Sequence, residues 1–157
     1  MKIRLLVVGK TDQDYLKQGI QEYEKRLKHY LTFDTIVIPA AKKSSAMTMH
    51  EVRIRESEHL MKNISPADCV VLLDENGKEY TSTGFSAFLN QRFSSGMKTL
   101  VFIIGGAYGV DEMIRKRANY IIALSLMTFS HQMVRLFFIE QLYRALTILG
   151  NESYHHE

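Results

Sequence analysis

Five short runs rich in Val, Ile and Leu, at residues 3–8, 33–38, 68–73, 99–104 and 119–124, alternate along the chain with segments of helical periodicity. Each run has the length of a strand buried on both faces, and strands that alternate with helices build βαβ units. The expected class is α/β, with a mainly parallel sheet and flanking helices. Leu16, Ile20, Tyr23, Leu27 and Tyr30 recur at steps of three and four, so residues 14–30 should present one apolar stripe. Residues 47–63 place Glu51/Arg55 and Glu58/Lys62 four apart on an exposed face, with Val52, Leu60 and Ile64 on the apolar side. Ser82 or Thr83 is positioned to cap a helix that stops at Gly96, and Asp111 to cap another ending near Ala118.

The last helix, expected from Ser130 as cap to Gly150 as stop, has a different pattern. Met133, Val134, Leu136, Phe137, Phe138, Ile139, Leu142, Tyr143, Leu146, Ile148 and Leu149 surround most of its circumference. One sheet face covers one side of such a helix, so a second cover is needed. A two-fold homodimer supplies it most economically; the alternative is a central helix wrapped by its own chain.

The chain has 157 residues, 46% hydrophobic and 24% charged, which reads as a single domain over 1–157 that buries a core without disulfide or metal. Cys69, the only cysteine, sits in an apolar run as a small buried hydrophobe and suits a reducing cytoplasm. A cytoplasmic location without membrane attachment is expected. The apolar start is too short for a signal core, and residues 118–134, although uncharged, are interrupted by Asn119, Ser125, Thr128, Ser130, His131 and Gln132. A net charge of +3 permits a nucleic-acid partner without requiring one. The basic clusters are Lys25-Arg26-x-Lys28, Lys42-Lys43, Arg53 with Arg55, and Arg115-Lys116-Arg117. Ala40 to Ser45 is expected to be loop.

Two segments concentrate the chemistry. Ile103-Ile104-Gly105-Gly106-Ala107-Tyr108-Gly109 places glycines at the carboxyl end of a strand, where open α/β sheets bind ligands. Its spacing is G-G-x-x-G, with no acidic ribose ligand about twenty residues on and no Lys-Ser/Thr pair, which argues against a dinucleotide-dependent oxidoreductase or a P-loop. Leu124 to Gln132 joins the final strand to the final helix. Together the two loops would form a cleft of backbone amides, hydroxyls and apolar side chains suited to an adenosine-like cofactor. His131 is a candidate base there, or else a packing group. His131, His155 and His156 lack ligand spacing, so no metal is expected.

These segments, taken in order, resemble the SPOUT-class methyltransferase family that modifies a pseudouridine of large-subunit ribosomal RNA at N3. The resemblance rests on Ile104-Gly105-Gly106-x-x-Gly109, on Leu124-Ser125-x-Met127-Thr128-Phe129-x-His131-Gln132-Met133-x-Arg135, on Glu140-Gln141-x-Tyr143-Arg144-Ala145, and on Tyr154-His155. Lys2-Ile3 through Val8-Gly9-Lys10, Glu22-Tyr23-x-Lys25-Arg26-Leu27, and Leu73-Asp74 with Gly77-Lys78 and Ser82 extend it over essentially the whole chain.

The resemblance implies an α/β knot, a homodimer whose carboxyl-terminal part forms a trefoil. It implies S-adenosyl-L-methionine bound by Leu73, Gly105, Leu124, Ser125, Leu126, Met127, Thr128 and Phe129. Arg144, Tyr154 and His155 are the catalytic candidates, since the acceptor imide must lose a proton and its negative charge must be met by donors. The tail would reach a partner's cofactor site; Arg144 also stands four residues after Glu140 and can pair with it. The expected partner is ribosomal RNA within the large subunit or whole ribosome, because the modest charge favours an assembled particle over naked RNA. Other readings are a methyltransferase of the same class acting on another RNA such as tRNA, and a ribosome-associated binding protein without turnover.

Overall fold

The computed structural model describes residues 1–42 and 46–156. Lys43, Ser44 and Ser45 lie outside the described residues, and with them half of the expected 40–45 loop and of the Lys42-Lys43 pair. Strands and helices alternate as β1 (Lys2–Val8), α1 (Asp14–Leu27), β2 (Thr32–Ile38), α2 (Met49–Met61), β3 (Cys69–Glu79), α3 (Ser82–Ser94), β4 (Thr99–Ile104), α4 (Glu112–Arg117), β5 (Tyr120–Ala123) and α5 (Met133–Leu149). The strands form one sheet in the order β2-β1-β4-β3-β5, and every pairing is parallel.

A strand turns successive side chains to opposite faces, so each run feeds two cores. Ile3, Leu5, Val7, Leu100, Phe102 and Ile104 pack with residues of α1, α3 and α5, among them Leu27, Phe88 and Phe138. Leu6, Val8, Val70, Leu72, Val101 and Ile103 pack on the other face with Leu60 of α2 and Ile114 of α4. Phe102 is fully buried at the sheet centre with its ring 4.6 Å from that of Phe138, and Ala there would cost about 3–5 kcal/mol.

Helix ends differ from expectation where a neighbouring polar group competes. Thr48 Oγ1 accepts the Glu51 N–H and the Glu51 carboxylate accepts the Thr48 N–H, so Glu51 closes a capping box as well as standing four before Arg55. Thr81 caps α3 one residue before Ser82, because its Oγ1 accepts the Gly84 N–H at 3.0 Å. Asp111 caps α4 as expected. Helix α1 ends at Leu27, leaving Tyr30 outside it with its ring 5.9 Å from that of Tyr143. Helix α5 begins at Met133 rather than directly after Ser130, whose Oγ accepts the Met133 N–H across a turn.

Two departures shape the carboxyl ends of the strands. Strand β3 runs past residue 73 to Glu79, and its register against β5 shifts between Leu73 and Lys78, which takes residues 74–77 out of the ladder. Gly77 permits this: a Cβ there would stand 2.6 Å from the Ile122 backbone. Helix α5 shares its layer with α1 and α3, burying Phe138, Ile139, Leu142 and Leu146 against them, while Phe137 stays 45% exposed. Its own chain thus covers one side of α5. Leu126 and Met127 are exposed on the preceding loop. Among the described residues, no helix is long and apolar enough to cross a membrane.

Candidate functional site

The carboxyl ends of β3, β4 and β5 enclose a cavity of about 380 Å³. Leu73, Gly105, Leu124, Ser125, Met127, Thr128 and Phe129 line it. Leu126 does not; its side chain is 75% exposed. The glycine turn is sterically closed to larger residues: a Cβ at Gly105 would meet Val110 Cγ1 at 2.9 Å and the Gly109 backbone at 3.0 Å. Gly109 has φ +77°, in the left-handed region that costs other L-residues about 1–2 kcal/mol.

The β3 excursion brings charge to this cavity. Arg115 Nη2 donates to Asp74 Oδ2 at 2.6 Å, and Asn76 donates to Asp74 Oδ1 from both its backbone and its side chain. Burial alone would raise the Asp74 pKa, but these partners together hold the carboxylate below its ordinary value. Thr128 hydrogen-bonds Glu75, joining the excursion to the 124–129 loop.

A second cavity of about 330 Å³ adjoins the first and shares Gly106, Ala107 and His131 with it. It lies between the ends of β1, β2 and β4, and Glu56 of α2 forms part of its wall. Glu56 is 5% exposed; its Oε1 accepts the Ala41 N–H at 3.2 Å, and its Oε2 has no hydrogen-bond partner among the described residues. Burial pushes this carboxyl up. A Cβ at residue 106 would lie 2.5 Å from that oxygen, so glycine there leaves room for the carboxyl group.

His131 stands between the cavities. Burial, then the Arg135 charge, lower its pKa, so the imidazole is neutral at pH 7. Arg135 itself is 2% exposed and donates to the carbonyl oxygens of Val8, Gly9 and His131 and to Thr11 Oγ1, which anchors the start of α5 to the end of β1.

Arg144, Tyr154 and His155 come together elsewhere. Arg144 Nη2 donates to Glu140 Oε1 at 2.5 Å, its guanidinium carbon lies 4.8 Å from the Tyr154 ring centroid, and Nη1 stands 3.5 Å from His155 Nδ1. The Tyr154 hydroxyl donates to Glu140 and lies 3.0 Å from the Tyr23 hydroxyl. Burial, first, and these two hydrogen bonds push the phenol pKa up, so it stays protonated at physiological pH. Val134 lines the first cavity, and Arg144 follows it by ten positions on α5, about 15 Å along the axis at 1.5 Å per residue. The trio and the cavity of one chain are therefore apart.

The basic clusters are partly engaged within the fold. Arg26 pairs with Glu22, Arg115 with Asp74, and Arg117 donates to the Ser65 and Asp68 carbonyls. Cys69 is buried and its thiol pushed up by that burial, as a structural hydrophobe requires. Sequence reasoning missed Glu56, although a signal existed: it falls four residues after Val52 and four before Leu60, a carboxylate on the apolar stripe.

A family model described as "Predicted SPOUT methyltransferase" matches residues 1–155. Proteins named "Ribosomal RNA large subunit methyltransferase H" are similar over their whole length. The one from Flavobacterium johnsoniae is 51% identical, that from Parabacteroides distasonis 50% and that from Porphyromonas gingivalis 48%, each covering 100% of both chains. Among solved structures, a probable methyltransferase from Bordetella pertussis Tohama I superposes with a TM-score of 0.57 at 9% identity, over 92% of this chain and 93% of that one, a likeness of fold.

Proposed function

From the premise that the chain belongs to the SPOUT methyltransferase family, we propose that it methylates N3 of a pseudouridine in large-subunit ribosomal RNA. The donor is S-adenosylmethionine, and the protein works as one knotted domain, a cytoplasmic homodimer on assembled ribosomes. The observation that carries this reading is the end-to-end likeness, near 50% identity, to proteins named for methylating large-subunit ribosomal RNA.

The first cavity suits the donor by its chemistry. Leu124, Met127 and Phe129 offer apolar surface to an adenine, and the Asp74 and Glu75 carboxylates suit a ligand carrying sulfonium and ammonium charges. Bound S-adenosylmethionine supplies a methyl group already activated on sulfur. The protein's remaining task is to hold the acceptor nitrogen in line and to manage its proton, and orientation provides the largest share of the rate.

The acceptor N–H belongs to a weakly acidic imide, so a base must take its proton and donors must meet the charge that develops on the ring. Arg144 is a fixed cation, its guanidinium held by Glu140 and above its ordinary pKa chiefly through that hydrogen bond. Tyr154, kept protonated, acts as a donor. His155 is left as the base. The separation of about 15 Å along α5 supports a reading in which these groups serve the cavity of a second copy, packed against the exposed Phe137 face and the Leu126-Met127 loop.

The test is labelled-methyl transfer from S-adenosylmethionine to ribosomes lacking the modification, with free ribosomal RNA and ribosomes whose target uridine was never isomerised alongside. Incorporation into pseudouridine-bearing ribosomes alone is expected. Incorporation into tRNA instead would overturn the acceptor; saturable binding without transfer to any RNA would overturn the activity.

A further inference from the structure

The wall of the first cavity carries a guanidinium that the mechanism above does not use. Arg115 of α4 lines the cavity with 32% of its side chain exposed, and among the described residues its one hydrogen bond runs from Nη2 to Asp74 Oδ2. A guanidinium presents five donors in a planar fork, so most of its hydrogen-bonding capacity is uncommitted. Asp74 does not depend on Arg115 alone, because the Asn76 backbone and side chain both donate to its other oxygen. Within the basic run 115–117, Arg117 is turned to the Ser65 and Asp68 carbonyls, and Arg115 is the cation that faces the cavity.

The charges around the cavity mirror those of the donor. Its ionisable lining consists of the Asp74 and Glu75 carboxylates, Arg115, and His131, whose imidazole is neutral at pH 7. Two anions and one cation therefore face the ligand. S-adenosylmethionine carries two cations, the sulfonium and the ammonium, and one anion, the carboxylate of its amino-acid end. Asp74 and Glu75 answer the two cations. Without Arg115 the carboxylate would enter a partly buried site against like charges and with no cation to meet it, which costs free energy.

We propose that Arg115 binds the carboxylate of the donor's amino-acid end. The inference rests on the S-adenosylmethionine reading above and adds how that end is recognised. A guanidinium fork pairs with a carboxylate bidentately, which a single ammonium group does not. The Asp74 contact holds the guanidinium at the cavity wall, so little side-chain freedom is left to lose when the ligand arrives.

Decarboxylated S-adenosylmethionine keeps both cations and lacks only the carboxylate, so it isolates the contact. Calorimetry measures its affinity and that of S-adenosylmethionine for the full-length protein, in wild type, Arg115→Gln and Arg115→Lys. Methylthioadenosine, which lacks the amino-acid end and the sulfonium charge, reports on the adenosine end alone. Wild type should bind S-adenosylmethionine about 10- to 100-fold more tightly than the decarboxylated compound, the range for hydrogen bonds to a charged group. Arg115→Gln should lose that preference and bind methylthioadenosine as wild type does. Arg115→Lys should keep part of the preference, since it retains the charge without the fork. A wild type indifferent to the carboxylate, or a preference that persists in Arg115→Gln, would overturn the proposal and leave the proposed function standing. Wild-type protein that binds S-adenosylmethionine at no saturable site would overturn both.

Discussion

Arg135 Nη2 donates to the Val8 carbonyl oxygen at 2.6 Å, a contact between residues 127 positions apart that locks the start of α5 onto the end of β1. The guanidinium is buried, which lowers its pKa, with Asp12 opposing the fall. Its partners are mostly carbonyl oxygens, so removing it leaves several buried acceptors unsatisfied. Arg135→Ala should cost about 3–5 kcal/mol, from several acceptors at about 1–3 kcal/mol each, or roughly 6–20 °C in Tm for a chain of this size. Thermal unfolding followed by circular dichroism checks this. Arg135→Lys should recover little, because one ammonium group lacks the fork that reaches four oxygens on two segments, residues 8–11 and His131.

The glycine turn predicts a selective binding defect. In Gly105→Ala the new Cβ would be 2.9 Å from Val110 Cγ1 and 3.0 Å from the Gly109 backbone, so the turn must shift at the floor of the first cavity. S-adenosylmethionine affinity should fall by about tenfold or more, as expected when a binding wall moves by a few tenths of an ångström or more. Calorimetry reads the affinity; a circular dichroism spectrum like that of wild type separates the defect from unfolding.

Much of the fold was legible because hydrophobic periodicity is a local signal. The runs at 3–8, 33–38, 99–104 and 119–124 match β1, β2, β4 and β5 to within a residue or so. The β3 excursion was not legible: Asp74-Glu75-Asn76-Gly77 reads as a turn that ends a strand, and only the shift against β5 shows that pairing resumes after it. The loops around the first cavity stood out through their glycines and hydroxyls. The Tyr154–Tyr23 contact spans 131 positions, and no local pattern announces it. Glu56 was hidden by its neighbours, since Arg55 and Glu58 make the helix read as a solvated face.

His131 predicts a pH dependence of stability. Its folded pKa lies below the ordinary 6.5 because burial and Arg135 disfavour the cation. The unfolded chain therefore takes up a proton first as pH falls, and the stability present above about pH 6.5 is lost below it. Wild-type stability by urea denaturation should decline more steeply from pH 6.5 to 5 than that of His131→Gln. Equal slopes would show that His131 does not carry this linkage.

The tail groups predict loss of turnover without loss of donor binding. Arg144→Ala removes the cation assigned to the developing ring charge, and such donors are typically worth about 100- to 1000-fold in kcat. Tyr154→Phe keeps the ring under Arg144 and deletes one hydroxyl, so a smaller loss is expected, on the order of tenfold. Each variant should bind S-adenosylmethionine as wild type does, because the donor cavity is lined by Leu73, Gly105 and the 124–129 loop, while the trio is assigned to the acceptor base. Turnover intact in His155→Ala would remove the tail from the mechanism.

That same separation sets up the decisive arrangement. If the tail of one copy completes the cavity of the other, then Arg144→Ala and Gly105→Ala damage different halves of each composite site. Each homodimer of a single variant carries two defective sites. A mixed dimer carries one site with both lesions and one with neither. Random re-association of equal amounts makes half the dimers mixed, so at a donor concentration limiting for Gly105→Ala the mixture should exceed the mean of its two parents, the restored sites contributing about a quarter of wild-type methyl transfer. Recovery requires the exchange step, which a tagged subunit monitors by pull-down. Exchange without recovered transfer would place Arg144 at the cavity of its own chain, against the spacing along α5.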